Sequence, residues 1–142
     1  MATQPEGLLH QELTSRIIGC FYDVYGELGP GFSERVFRRA LLVALQQCSL
    51  HAEEEVRLQV HFRGVIIGTF WVDLLVENAV IVEIKASPEI DSRAVGQLLN
   101  YLKAAGGGVG LLLNFGRRPE FQRRIVSKLS APHDNRADTS SQ

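Results

Sequence analysis

Residues 65–86 read VIIGTFWVDLLVENAVIVEIKA, and they contain the clearest local signals of the architecture. It contains two apolar segments, 65–76 and 80–86, separated by polar residues that are typical of a turn. Both segments are so apolar that we expect them to be strands in the middle of a sheet. The stretch therefore predicts a central hairpin, and the rest of the chain is interpreted around it.

Two charged residues interrupt the second strand of this hairpin, Glu83 and Lys85. Side chains on a strand alternate between faces, so Glu83 and Lys85 share one face, about 6.5 to 7 Å apart, while Val82 and Ile84 take the other. Burying an unpaired carboxylate or ammonium costs several kcal/mol or more. This placement of charge predicts a site.

Asp73 is a third charged residue in the hairpin, and its face depends on the loop. A two-residue loop at 77–78 would place Asp73 opposite Val82, away from Glu83. A three-residue loop at 77–79, with Asn78 in a left-handed conformation, would place Asp73 opposite Glu83. The residues alone leave both registers open.

If Asp73 and Glu83 face each other, their repulsion must be relieved by a proton, a basic partner or a divalent cation. A hard cation such as Mg²⁺ suits two carboxylates, because it keeps several waters and completes its octahedron with phosphate oxygens. Such a site suits phosphoryl transfer. The competing interpretation is a structural ion network in which Lys85 neutralises the acids.

The segments before the hairpin predict two helices and a strand. Apolar residues recur at helical spacing over about residues 6–28, and Gly29-Pro30-Gly31 ends that helix. Ser33 is predicted to cap a second helix with Glu34 in its first turn. Alternation over 56–62 predicts a half-exposed strand that ends in a turn at Arg63-Gly64.

The segments after the hairpin predict a helix and one or two strands. Ser87-Pro88-Glu89 resembles the start of a third helix, and Gly106-Gly107-Gly108 ends it before the buried strand VGLLLNFG. Residues 121–129 are interpreted as an edge strand or a short helix. The order predicts an α/β or α+β fold with one mixed sheet flanked by helices, a single domain over 1–130 and a disordered tail over 131–142.

Composition is that of an ordinary soluble globular domain: 142 residues, 45% hydrophobic, formal net charge -1. No general basic field would attract nucleic acid from a distance, so any such contact must be local. One basic cluster, either a solvated face or a phosphate track, comprises Arg117, Arg118, Arg123, Arg124 and Lys128.

The cysteines and histidines give no indication of a zinc site, a disulfide framework or a catalytic histidine. Cys20 and Cys48 are not at metal-ligand spacing and suggest neither zinc nor a disulfide framework, which fits a reducing cytoplasm. Both are expected on apolar helix faces, and the four scattered histidines receive no catalytic role. The sequence shows no signal peptide and no membrane-spanning run, so we expect a protein that is neither secreted nor membrane-bound.

The pattern D-x9-E-x-K, formed by Asp73, Glu83 and Lys85, resembles the catalytic signature of the PD-(D/E)XK nuclease superfamily. Four further segments resemble its GxxExxY family in order and spacing: ELGPGFSERVF at 27–37, VDLLVE at 72–77, GQLLNYLK at 96–103 and GLLLNFG at 110–116. The resemblance covers most of the chain. It implies a restriction-endonuclease-like core with the order helix, three strands, helix, strand.

The resemblance also implies roles for individual residues. Asp73, Glu83 and the carbonyl of Ile84 would ligate Mg²⁺ or Mn²⁺, and Lys85 would orient or deprotonate the attacking water. Glu34 would add a carboxylate, and Gln97 would position Lys85 or a substrate phosphate. The residues themselves allow simpler interpretations: a helix-surface pair of Glu34 with Arg38, and pairing of Gln97 with Arg93 or Tyr101.

Two positions depart from the family pattern. The final Tyr of GxxExxY is Phe37 here, and the position two before the family's Asp, often Arg, is Trp71. The resemblance implies a metal-dependent nuclease, with DNA favoured over RNA as substrate. Because the domain is small and weakly charged, we expect a homodimer or a larger partner to be needed to grip a duplex. The departures favour a second hypothesis, a catalytically impaired domain that binds nucleic acid or protein. A third is a partner-binding protein that uses an open sheet edge.

Overall fold

The computed structural model describes residues 10–128, which form three helices and five strands. In chain order they are α1 (Gln11–Leu28), α2 (Glu34–Gln47), β1 (Ala52–Phe62), β2 (Val65–Val76), β3 (Val80–Lys85), α3 (Ser92–Ala104), β4 (Gly108–Phe115) and β5 (Pro119–Val126). The fold is therefore α+β with a single five-stranded sheet. The expected tail at 131–142 lies outside the described residues.

The strands lie side by side in the order β1-β2-β3-β4-β5. Every neighbouring pair is antiparallel except β3 and β4, which are parallel because α3 crosses over between them. Residues 119–126 thus form the edge strand β5, which resolves the alternatives of strand and short helix. The mixed sheet flanked by helices is confirmed.

The sheet separates two apolar cores. One lies against α1 and α2 and contains alternate residues of the central strands, among them Leu74, Val82 and Ile84. The other lies against α3 and contains Val72, Ile81, Leu98 and Leu102, among others. A central strand with apolar residues on both faces is what two covered faces require.

The start of the third helix is a correction. Asp91, not Ser87, caps α3, because the Asp91 carboxylate accepts a hydrogen bond of 2.8 Å from the Arg93 N–H. Residues 87–90 instead leave the sheet as an irregular connection, and the Ser87 hydroxyl donates to the Glu89 carbonyl. Ser33 does cap α2 as predicted, accepting from the Val36 N–H at 3.3 Å.

Three further expectations change. Helix α1 begins at Gln11, and residues 6–9 of the longer predicted helix lie outside the described residues. Strand β1 begins at Ala52, earlier than the alternation indicated. Cys48 is exposed at the end of α2 instead of packing on an apolar face, although its Sγ atom lies only 3.7 Å from that of buried Cys20.

Candidate active site

The loop between β2 and β3 sets the register of the site. It has three residues, 77–79, because Glu77 and Asn78 both take a left-handed conformation with φ of 52°. The resulting pairs are Val76 with Val80, Leu75 with Ile81 and Leu74 with Val82. The three-residue alternative is therefore the observed one, and Asp73 and Glu83 follow directly after the last ladder pair.

Beyond that pair, side chains replace the backbone ladder. The Asp73 N–H donates a hydrogen bond of 2.8 Å to Glu83 Oε2, and the Ile84 N–H donates one of 2.7 Å to Asp73 Oδ2. Each carboxylate thus satisfies a backbone group on the opposite strand where β2 and β3 separate. Asp73 and Glu83 are brought together at this fork.

Burial raises the pKa of both Asp73 and Glu83, and their mutual repulsion adds to the rise for Glu83. Burial raises the pKa of Glu83 to about 8, and the negative charge of Asp73 adds to the rise. The pKa of Asp73 is also raised by burial, although the Ile84 N–H and the Arg38 guanidinium oppose the rise. Two neighbouring acids whose negative forms are both disfavoured make a site that favours a proton or a cation.

Lys85 ends β3 and is half-buried. Its positive charge lowers the pKa of both Asp73 and Glu83, so its ammonium lies within electrostatic reach of the pair. The Ile84 side chain packs into the core under α1 and α2. Its backbone is held at the fork through the bond to Asp73.

Glu34 and Gln97 lie on the two helices that flank the fork. Glu34 occupies the first turn of α2, is exposed, and its charge contributes to the raised pKa of Glu83. Gln97 is exposed on α3 and hydrogen-bonds Tyr101, as one of the simpler interpretations expected. Tyr101 lies near the two acids. Burial raises the pKa of Tyr101, and the negative charges of Glu83 and Asp73 raise it further.

The structure adds Arg38 to the site. Its guanidinium lies 3.1 Å from Glu54, 3.8 Å from Glu55 and 3.7 Å from Asp73, and its side chain is only 16% exposed. Arg38 therefore binds acids of the sheet instead of the helix-surface pair with Glu34. The spacing of four residues places Glu34 and Arg38 on one side of α2, but it does not indicate that Arg38 reaches the sheet.

Asn114 is a second residue whose importance the sequence did not reveal. It is fully buried opposite Lys85, accepts a 3.0 Å hydrogen bond from the Ser87 N–H and donates one of 2.9 Å to the Ser87 carbonyl. Gly116 lies against the same carbonyl, where any Cβ would collide with it. These contacts fix the chain as it leaves Lys85.

The two departures from the family pattern have different surroundings. Phe37 is fully buried, and its ring stacks on Phe115 with centroids 4.3 Å apart. Trp71 is 58% exposed and pairs across the strands with Arg57. The first is a core residue, whereas the second is a surface residue two positions from Asp73.

The predicted basic cluster does not form one face. Arg117 and Arg118 are exposed in the turn after β4, at the end of the sheet where β3 also ends. They line a cleft of about 540 Å³ with Pro88, Glu89 and Ile90. Arg123 is half-buried on β5 and donates a 3.2 Å hydrogen bond to Thr14 on α1.

Residues 11–125 match the family model described as the PD-(D/E)XK nuclease superfamily. The match spans most of the chain, and the chain therefore belongs to this superfamily, whose nucleases generally use divalent metal ions. Comparison with curated proteins gives no match.

A solved structure titled "Crystal structure of SSO0001" is similar in fold, with a TM-score of 0.54 and 19% sequence identity. The alignment covers 92% of this chain and 64% of that chain, so the present chain spans somewhat less than two thirds of that protein's length. The likeness supports a restriction-endonuclease-like fold. Within residues 10–128, no helix is long and apolar enough to cross a membrane.

Proposed function

We propose that this protein is a nuclease of the GxxExxY family that hydrolyses nucleic-acid phosphodiesters with Mg²⁺ or Mn²⁺. The observation that carries the proposal is the fork. There the carboxylates of Asp73 and Glu83 each accept a hydrogen bond from a backbone N–H of the opposite strand, which places the two carboxylates together beside Lys85. The superfamily match supports a nuclease. The fork supports a metal-dependent one.

The donor set fits a hard divalent cation. Two carboxylates with the Ile84 carbonyl would hold it, and Mg²⁺ commonly takes only one or two carboxylates and keeps several waters. When bound, the ion would neutralise the acids and polarise a substrate phosphate.

The chain's own residues divide the remaining work. Lys85 orients or deprotonates the attacking water, and its charge stabilises the negative charge that grows on the phosphate oxygens. Glu34 adds a carboxylate at the mouth of the fork. Gln97 positions Lys85 or a phosphate, and its bond to Tyr101 holds it on that side of α3.

Arg117 and Arg118 extend the proposed site along the substrate backbone. They are exposed at the end of the sheet where Lys85 lies, and the adjacent cleft is open to a polyanion. We propose DNA in preference to RNA as the substrate, a homodimer when a duplex is gripped, and action in the cytoplasm. A small domain with a net charge of -1 has little general attraction for a duplex, which favours a second subunit.

A cleavage assay tests the nuclease. Purified wild type is incubated with labelled single-stranded and duplex DNA and RNA, with Mn²⁺, with Mg²⁺ or with EDTA. Cleavage should require the cation and fall by about 100-fold or more in Asp73→Asn, Glu83→Gln and Lys85→Ala. Glu27→Gln and Lys103→Ala, which change exposed residues of the same types, are matched controls and should cleave normally. Cleavage that persists equally in all variants would refute the assignment.

A second candidate is a catalytically impaired domain that binds nucleic acid or protein. Two observations favour it. Arg38 already supplies positive charge 3.7 Å from Asp73, and Trp71 is a tryptophan at a position where the GxxExxY pattern often has arginine. Thermal melting separates the candidates, because a ligand that binds only the folded state raises the melting temperature. Stabilisation of wild type by Mn²⁺, lost in Asp73→Ala, supports the nuclease, and equal melting of both proteins supports the binding domain.

A further inference from the structure

Residues 56–71 form an arm that projects beyond the rest of the sheet. Strand β2 pairs with β3 only through residues 74–76, whereas it pairs with β1 over nearly its whole length. The outer part of the hairpin is therefore a two-stranded ribbon. Such a ribbon is of little stability alone, so the packing of its two faces matters.

One face of the inner part of the arm is covered, whereas at the tip Phe62, Val65, Ile66 and Ile67 are each more than half exposed. Val72 is buried in the core against α3, and the Phe70 ring lies 5.4 Å from that of Tyr101. Because side chains alternate, Trp71 and its cross-strand neighbour Arg57 occupy the opposite face. Trp71 is 58% exposed there, and Arg57 is exposed beside it.

The charge of the arm has one sign. Residues 56–71 contain Arg57 and Arg63 but no Asp or Glu, although three glutamates, 53–55, lie immediately before them and Asp73 lies after them. At the tip the Arg63 guanidinium lies over the Phe62 ring at 4.8 Å. The arm also exposes Val65, Ile66 and Ile67, but its arginines and aromatic rings are the groups that are complementary to a polyanion with flat rings.

We propose that the arm binds an unpaired segment of nucleic acid, with Trp71 stacking on a base and Arg57 contacting a neighbouring phosphate. This inference rests on the proposed nuclease function and specifies its substrate as one with a single-stranded segment. Trp71 is two residues from Asp73 on the same strand, about 6.5 to 7 Å along it. A base on Trp71 is therefore within one or two nucleotides of a phosphate at the fork.

The requirement for an unpaired base follows from the indole ring. Bases in a duplex are stacked on their neighbours, so an aromatic side chain gains a free face only where the strand is open. Stacking is tolerant of sequence because every base has such a face. The substrate class is therefore a single strand, an overhang or a loop, without a fixed sequence.

Trp71 is the only tryptophan in the chain, so its fluorescence reports directly on the arm. The experiment uses the 142-residue protein in EDTA, and a parallel Asp73→Asn sample, so that binding is observed without hydrolysis. A 12-nucleotide oligothymidylate should quench the fluorescence. A self-complementary duplex of equal length should quench it far less.

The fluorescence anisotropy of a labelled oligothymidylate measures the affinity of each variant for single-stranded DNA. Trp71→Ala should weaken binding by about 5- to 100-fold, and Trp71→Phe, which keeps an aromatic ring, should retain most of the affinity. Arg57→Ala should weaken binding and flatten its dependence on salt. Ile67→Ala is the matched control, because Ile67 is 63% exposed on the same arm but has neither a ring nor a charge, and it should bind as wild type does.

Two results would overturn the proposal. Oligothymidylate that leaves the fluorescence unchanged and binds Trp71→Ala as tightly as wild type excludes stacking. A molar mass that falls to that of a monomer in both Ile67→Ala and Trp71→Ala would show that a second copy of the chain covers the arm. Binding without any cleavage in Mn²⁺ would refute the nuclease but support the arm, so the two failures are distinguishable.

Discussion

The N–H of Asp73 donates to the carboxylate of Glu83 across the fork between β2 and β3, at 2.8 Å. This contact ties the geometry of the candidate site to the register of the hairpin. A shift of one residue in the loop would place Val82 opposite Asp73 and remove the contact. The three-residue loop and the two acids therefore belong to one structural unit.

Metal-free protein should lose stability as pH rises toward 8. The folded-state pKa of Glu83 is about 8, well above its ordinary value of 4.5, so the folded state holds a proton that the unfolded state releases between these values. Its contribution is fully present below pH 4.5, declines as pH rises and is gone above 8, a change on the order of a few kcal/mol.

Urea denaturation in EDTA from pH 5 to 9 measures this dependence. Glu83→Gln, which stays neutral, should show a smaller decline than wild type, and Glu27→Gln should decline as wild type does. Identical slopes in wild type and Glu83→Gln would contradict the raised pKa. Because a cation competes with the proton, the affinity for Mn²⁺ should rise over the same pH range.

Arg38→Ala should destabilise the fold by about 1 to 3 kcal/mol at pH 7, because Glu54 and Asp73 lose a largely buried partner. Arg39 contacts the same Glu54 at 3.5 Å but is 59% exposed, so Arg39→Ala should cost less than about 1 kcal/mol. Chemical denaturation at pH 7 measures both. Equal losses would show that the burial of Arg38 contributes nothing.

Phe37→Tyr, which introduces the tyrosine of the GxxExxY pattern, should destabilise the protein without raising its activity. Phe37 is fully buried between aromatic rings, with Phe115 stacked on it and Phe32 at its edge. A hydroxyl buried there without a partner costs about 1 to 3 kcal/mol. Melting and cleavage assays on the same preparation test this, and a stable variant with several-fold greater cleavage would contradict it.

The two cysteines should differ sharply in reactivity. Cys48 is exposed, whereas Cys20 is buried and its pKa is raised to about 11 by burial and by the neighbouring Cys48 thiol. Maleimide at pH 7 should therefore modify Cys48 first, because the thiolate is the reacting form. Mass spectrometry of timed samples measures the order, and equal rates at the two positions would contradict the placement of α1 against α2.

Much of the fold could be predicted because each element carries a local signal. Hydrophobic period separates helices from strands, and Ser33 caps α2 through a bond three residues away. The predicted start of α3 was wrong because Ser87 and Asp91 are both residues that commonly cap helices. The choice between them depends on Asn114, which holds Ser87 from a strand 27 residues distant in sequence.

The acidic residues of the candidate site could be identified from the sequence, but the residues that contact them, such as Arg38, could not. Charges inside apolar strands identify Asp73, Glu83 and Lys85, because burial makes such residues costly. The loop register depends on left-handed conformations at Glu77 and Asn78, and glutamate gives little local indication of one. Arg38 reaches the sheet only through the packing of α2, which no sequence spacing specifies.

The proposed chemistry depends on a cation site at the fork, and the binding of Mn²⁺ measures that site. Titration of wild type at pH 8, followed by electron paramagnetic resonance of free Mn²⁺, should reveal a site that Asp73→Asn and Glu83→Gln each abolish and Glu27→Gln retains. Mn²⁺ that binds the two altered proteins as it binds wild type would contradict a metal site at the fork between β2 and β3.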